Sequence, residues 1–155
     1  MFQWLVFVHL GGLILFVGAH GVSMAIAFEI RGLRDPEAVA RQLGLSQRTM
    51  GIAYLGLILL AAGGLGAAWV ARLLATPWVV ASAVVLVMVS GAMYAVGTAY
   101  YVTLRRAVAA DTTGRPAISP DALEALLASR RPEVLAAVGG LGLAILTWLM
   151  VLKPG

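Results

Sequence analysis

The chain has 155 residues, 61% of them hydrophobic and 12% charged, with a mean hydropathy of +0.95. Soluble domains carry about 25% charged residues, so this composition excludes an ordinary soluble enzyme or nucleic-acid-binding module and points to one membrane domain. The net charge of +4 reflects basic residues spread over two loops rather than one soluble face, and the absence of cysteine excludes disulfides, thiolate metal sites and a cysteine nucleophile.

Four runs lack Asp, Glu, Lys and Arg: Met1 to Phe28, Thr49 to Ala71, Leu73 to Leu104, and Val134 to Leu152. Each is long enough to cross a bilayer as a helix, which predicts spans at about 2–28, 50–71, 77–104 and 133–152. Ala25, Ile26 and Ala27 imitate a signal-peptidase site, but the run before them is too long and lacks a basic start, so the first span is expected to stay uncleaved. The loop 29–49 carries Arg31, Arg34, Arg41 and Arg48, and the loop 105–132 carries Arg105, Arg106, Arg115, Arg130 and Arg131. Only Arg72 and Lys153 fall on the other side. The positive-inside rule therefore makes both loops cytoplasmic and both termini external. Trp4, Trp69, Trp78 and Trp148 fall at the external ends of the four spans, as an interfacial belt requires, with Tyr100 and Tyr101 at the inner end of the third. The short turn at 72–77 predicts an antiparallel hairpin, and the whole chain an all-α membrane protein with four transmembrane helices in an antiparallel bundle.

Within the loops, Asp35 followed by Pro36 and Glu37 predicts a short surface helix from Pro36 to about Leu43. Ser119 and Pro120 repeat the device before a helix from Asp121 to Arg130, whose Leu123, Leu126 and Leu127 form an apolar stripe for the headgroup layer or the underside of the bundle. Ala109 to Ala117 is expected to be flexible. Glycine and alanine at positions 63, 64 and 66, 91 and 95, and 136, 140 and 144 fit close helix packing, because in lipid apolar burial alone gains little.

The only histidines, His9 and His20, lie in the first span. An ionisable group at that depth is a functional hypothesis by default, although a neutral imidazole also serves as a structural hydrogen-bond partner. The two are eleven residues apart, which puts them within about 20° of one helix face and about 16.5 Å apart in height. They share a stripe with Leu13, Phe16 and Met24 and are too far apart to ligate one metal ion. Haem b is the sharpest cofactor candidate, since membrane bundles hold it through histidine with methionine among its second ligands. At the depth of His20, the second and third spans offer Tyr54, Met93 and Tyr94, so His20 and Met93 form a candidate axial pair. At the depth of His9, Gly63, Gly64, Ser82 and Gly140 or Gly142 offer space for a flat ring but no second ligand, which a five-coordinate haem or a second copy of the chain would resolve. Copper is the other reading: His20 and Met24 are one turn apart, and soft Cu(I) accepts imidazole and thioether. No carboxylate lies within a span, no phosphate loop is present, and the span hydroxyls lack a base at useful spacing, so the residues support no enzymatic chemistry.

Trp4-Leu-Val-Phe-Val-His9, Gly18-Ala-His20-Gly21-Val-Ser-Met24 and Ile30-Arg-Gly-Leu-Arg-Asp-Pro-Glu37 together resemble a family of small bacterial four-helix membrane proteins of unknown function. The resemblance covers spans one to three, up to Arg106, and extends more loosely to the CopD copper-resistance proteins and HemJ-type protoporphyrinogen oxidases. It implies a multi-pass protein of the bacterial inner membrane. In HemJ-like proteins an early histidine five residues after a tryptophan, with a glycine about ten residues later, is implicated in haem binding, and His9 with Trp4 and Gly18 is similar. The HemJ pattern also uses a lysine within a later span, whereas the sole lysine here is Lys153. Two classes of function follow: a haem-binding or redox-associated membrane protein using His9, His20 or both, and a non-catalytic accessory or scaffold subunit. Protoporphyrinogen oxidation and copper handling are further alternatives. The expected partners are the bilayer and a homodimer or larger membrane complex, with no nucleic acid.

Overall fold

The computed structural model describes residues 1–109 and 118–155, so the segment expected to be flexible lies outside the described residues except for Ala109. The described chain forms five α-helices: α1 Phe2–Glu29, α2 Pro36–Val70, α3 Pro77–Val108, α4 Pro120–Leu127 and α5 Arg131–Leu152, with a single tight turn of helix at Ile30–Gly32. Four helical stretches are long and apolar enough to cross a membrane: α1 with its following turn, α2, α3, and α4 together with α5. The all-helical architecture with four such stretches fits a multi-pass membrane protein and a four-helix bundle.

Local sequence sets the helix ends. The Asp35 carboxylate accepts from the amides of Glu37 and Ala38 at 3.1 and 3.2 Å, and Pro36 occupies the first helical position. Ser119 plays the same part for α4 through Ala122. At the far end of α2, Arg72 adopts a left-handed φ of 58°, with Leu73 N donating to Ala68 O and Arg72 N to Trp69 O. That pair of bonds is the Schellman stop, here made without glycine.

α2 differs from expectation. The helix capped at Asp35 runs unbroken to Val70, so the expected surface helix is the first turns of the second span. The reason lies in its buried face, which repeats almost every three and four residues from Val39, Leu43 and Ser46 through Ala53, Gly56, Leu60, Gly63 and Ala67. With a continuous face to bury and no proline to interrupt it, the helix has no cause to end at Leu43. Thirty-five residues rise about 52 Å, well beyond the roughly 30 Å that a hydrocarbon core requires.

α1 and the turn that follows it carry the matching face: Leu5, His9, Gly12, Phe16, Ala19, Ser23, Ile26 and Ile30 alternate steps of four and three without a break. The two faces meet backbone to backbone. A Cβ on Gly56 would lie 2.5 Å from the Phe16 nitrogen, one on Gly63 2.6 Å from the His9 nitrogen, and one on Gly12 would strike Leu60 N. Partners descend along α2 as they ascend along α1, ending at the buried hydrogen bond between the Ser23 and Ser46 hydroxyls at 2.6 Å.

α3 and α5 form the second pair, with Val89 against Gly142, Met93 against Gly139 and Leu135 against Gly97. The two pairs join most fully at the end bearing the basic loops. There Ile26, Ile30, Val39, Leu43, Tyr100, Leu104, Val108, Leu123 and Leu127 make one buried core, with Leu33, Tyr101, Ile118 and Leu126 packed against it. The stripe of α4 thus packs under the bundle through Leu123 and Leu127. Arg31–Glu133 at 2.7 Å and Arg34–Glu124 at 3.1 Å bridge the halves on the exposed side, where solvent screening leaves such pairs little net contribution. At the opposite end Lys153 Nζ lies 5.7 Å from the Trp78 ring centre, while Trp4, Trp69 and Trp148 face outward.

Candidate functional site

α1 presents its two imidazoles to different neighbours. His9 sits on the seam with α2, where Nδ1 donates to the Leu60 carbonyl oxygen at 2.7 Å. A carbonyl can only accept, so Nδ1 carries the proton of this bond. The ring lies over Gly64, whose Cβ would come within 2.7 Å of Nδ1. The glycine level expected to leave room for a flat ring is therefore filled: Gly63 admits the α1 backbone and Gly64 admits the His9 ring itself. Ser82 is buried and donates back to Trp78 O at 2.7 Å, while Gly140 faces open space rather than His9.

His20 points across to the other helix pair. Its ring stacks on Phe16, one turn earlier, with centroids 5.6 Å apart and planes 11° apart. Its Nε2 is buried and has no hydrogen-bond partner among the described residues. The position a Cβ would take on Gly139 is 3.9 Å from this nitrogen, 3.4 Å from Met93 Sδ and 3.1 Å from Met93 Cε. An imidazole nitrogen and a thioether thus converge on one glycine of α5. Leaving such a nitrogen unpaired costs roughly 1–3 kcal/mol, so the position calls for a ligand or a structural explanation.

Of the residues singled out from the sequence, the structure brings His20 and Met93 together and separates His9 from them. On a straight helix the eleven-residue step brings the side chain within about 20° of its starting direction. In the frame of a seam repeating every 3.5 residues the same step leaves it about 50° away. Met24 is half-buried one turn beyond His20, whereas Tyr54 and Tyr94 are 51% and 64% exposed and face away. Sequence reasoning missed Gly139, naming only its neighbours, and missed the Ser23–Ser46 bond, beside which Tyr101 lies. The three-four spacing of α1 carried the signal for both the seam and the divergence of the histidines. Among the described residues no three or more His, Asp or Glu side chains gather to hold a metal ion. No protein-family model, curated protein or solved structure matches the chain.

Proposed function

We propose that this chain is a bacterial inner-membrane protein that binds haem b through His20, with Met93 as the second donor. The observation that carries the reading is the buried, partnerless Nε2 of His20 beside the Met93 thioether. The donor set suits the group, since imidazole with thioether is an established haem iron pair, and the missing side chain of Gly139 is what lets the two donors approach the same point of α5. Bound there, haem would supply one-electron chemistry. The chain's own part is to stack the His20 ring on Phe16, to hold Met93 against Gly139 and to exclude water. Cu(I) is the smaller alternative for the same two donors, with Met24 one turn away. The basic loops are cytoplasmic, the bundle is antiparallel and both termini lie outside, a reading supported by the arginine asymmetry and the tryptophan positions.

A second reading, a non-catalytic accessory subunit, is favoured by a different observation: the glycines and His9 of the α1–α2 seam are occupied with helix packing. The visible absorption spectrum of the purified protein separates the two. Haem binding predicts a Soret band that His20→Ala abolishes, Met93→Leu shifts and His9→Ala leaves in place. Loss in His9→Ala alone would move the ligand to His9 Nε2, and a colourless, metal-free protein supports the accessory reading.

A further inference from the structure

At the basic end, a crevice of about 400 Å³ opens between the last turns of α3, the helix α4 and the start of α5. That volume falls within the range of small-molecule sites, about 300–1,000 Å³. Leu104 and Leu126 form its apolar wall, and Tyr100, Thr103, Ser129 and Arg131 supply its polar groups.

The hydrogen-bonding state of those groups gives the crevice a sign. Tyr100 is 4% exposed, and its buried hydroxyl has no partner among the described residues. Ser129 Oγ accepts from the Arg131 amide at 3.3 Å, which leaves its own proton to give. Thr103, by contrast, has committed its proton to the Ala99 carbonyl at 2.8 Å. The Arg131 guanidinium brings a positive charge, while the nearby carboxylates Glu133 and Glu124 are held by Arg31 and Arg34. The side chains thus offer two hydroxyl donors and one cationic donor, and no carboxylate is among the lining residues. Such a site takes an anion with several acceptor oxygens.

Its place in the fold names the source of that anion. The crevice lies where the apolar helices meet the arginine-rich loops, and Arg105 and Arg130 are the chain neighbours of its lining residues Leu104, Ser129 and Arg131. We propose that it binds the phosphate group of an anionic phospholipid, with Arg131, Ser129 and Tyr100 on the phosphate oxygens and the acyl chains running out along the helices. The inference rests on the membrane reading of the chain and not on the cofactor reading.

The test is native mass spectrometry of the full chain released from detergent micelles doped with phosphatidylglycerol, phosphatidylcholine or inorganic phosphate. We expect a one-to-one phosphatidylglycerol adduct at least tenfold more abundant than the phosphatidylcholine one. Tyr100→Phe combined with Arg131→Gln should lower it at least tenfold, and Tyr100→Phe with Arg131→Lys should keep more of it than the Gln combination. Circular dichroism of each variant separates loss of the adduct from loss of the fold, and Ser129→Ala, which removes only one hydroxyl, provides a milder variant expected to weaken the adduct. Equal retention of the two lipids, an adduct untouched by the substitutions, or displacement by inorganic phosphate would overturn the proposal. Detergent phase partitioning keeps the premise separate: a chain found in the aqueous phase overturns the membrane reading itself.

Discussion

At the scale of single residues, the two histidines are divided by what lies opposite them. His9 faces an α2 carbonyl and forms a 2.7 Å bond. His20 faces glycine and methionine and leaves Nε2 without a partner. Polar bonds between membrane helices are worth about 0.6–2 kcal/mol, so His9→Ala should lower the unfolding free energy in mild detergent by about 1 kcal/mol. An unchanged denaturation curve would remove His9 from the packing. That both histidines sit at membrane depth was legible in the sequence, because nothing charged shares their span. Which of them would have a partner was not, because hydrogen bonds to a backbone carbonyl 51 residues away leave no trace in local pattern.

At the scale of elements, the α1–α2 pair depends on absent side chains. Gly56 and Gly63 meet backbone atoms, which cannot step aside as a flexible side chain can, whereas Gly18 and Gly21 meet nothing within 4 Å. Gly63→Ala should therefore cost about 2 kcal/mol or more by forcing the helices apart, while Gly18→Ala should be neutral or slightly stabilising through helix propensity. Unfolding of the two variants side by side checks the contrast, and equal effects would reject the backbone contact. The sequence reading attributed the glycines to close packing but also left room among them for a flat ring. The structure fills that room, because helices free to approach take up the space that glycine leaves. The continuous α2 was likewise written in residues 39 to 67, but only when the spacing is followed across the expected loop boundary.

At the scale of the whole molecule, two helix pairs meet mainly through the core under the basic loops. The proposed sidedness has a direct check, because the native chain has no cysteine to interfere. Ala75→Cys, in the exposed turn between α2 and α3, should react with a membrane-impermeant maleimide in intact cells, and Gln47→Cys, exposed near the other end, only after permeabilisation. The reverse pattern would invert the topology. The sequence by itself determined that the chain is helical with four apolar stretches, and it placed most helix starts. These follow from local causes: run length, proline and capping residues, and the cost of an unpaired backbone in lipid. Only the tertiary structure decided what the opening span's histidines touch. The seam that repeats in steps of three and four turns His9 toward Leu60 and His20 toward Met93 and Gly139, and those neighbours exist only once the helices have packed.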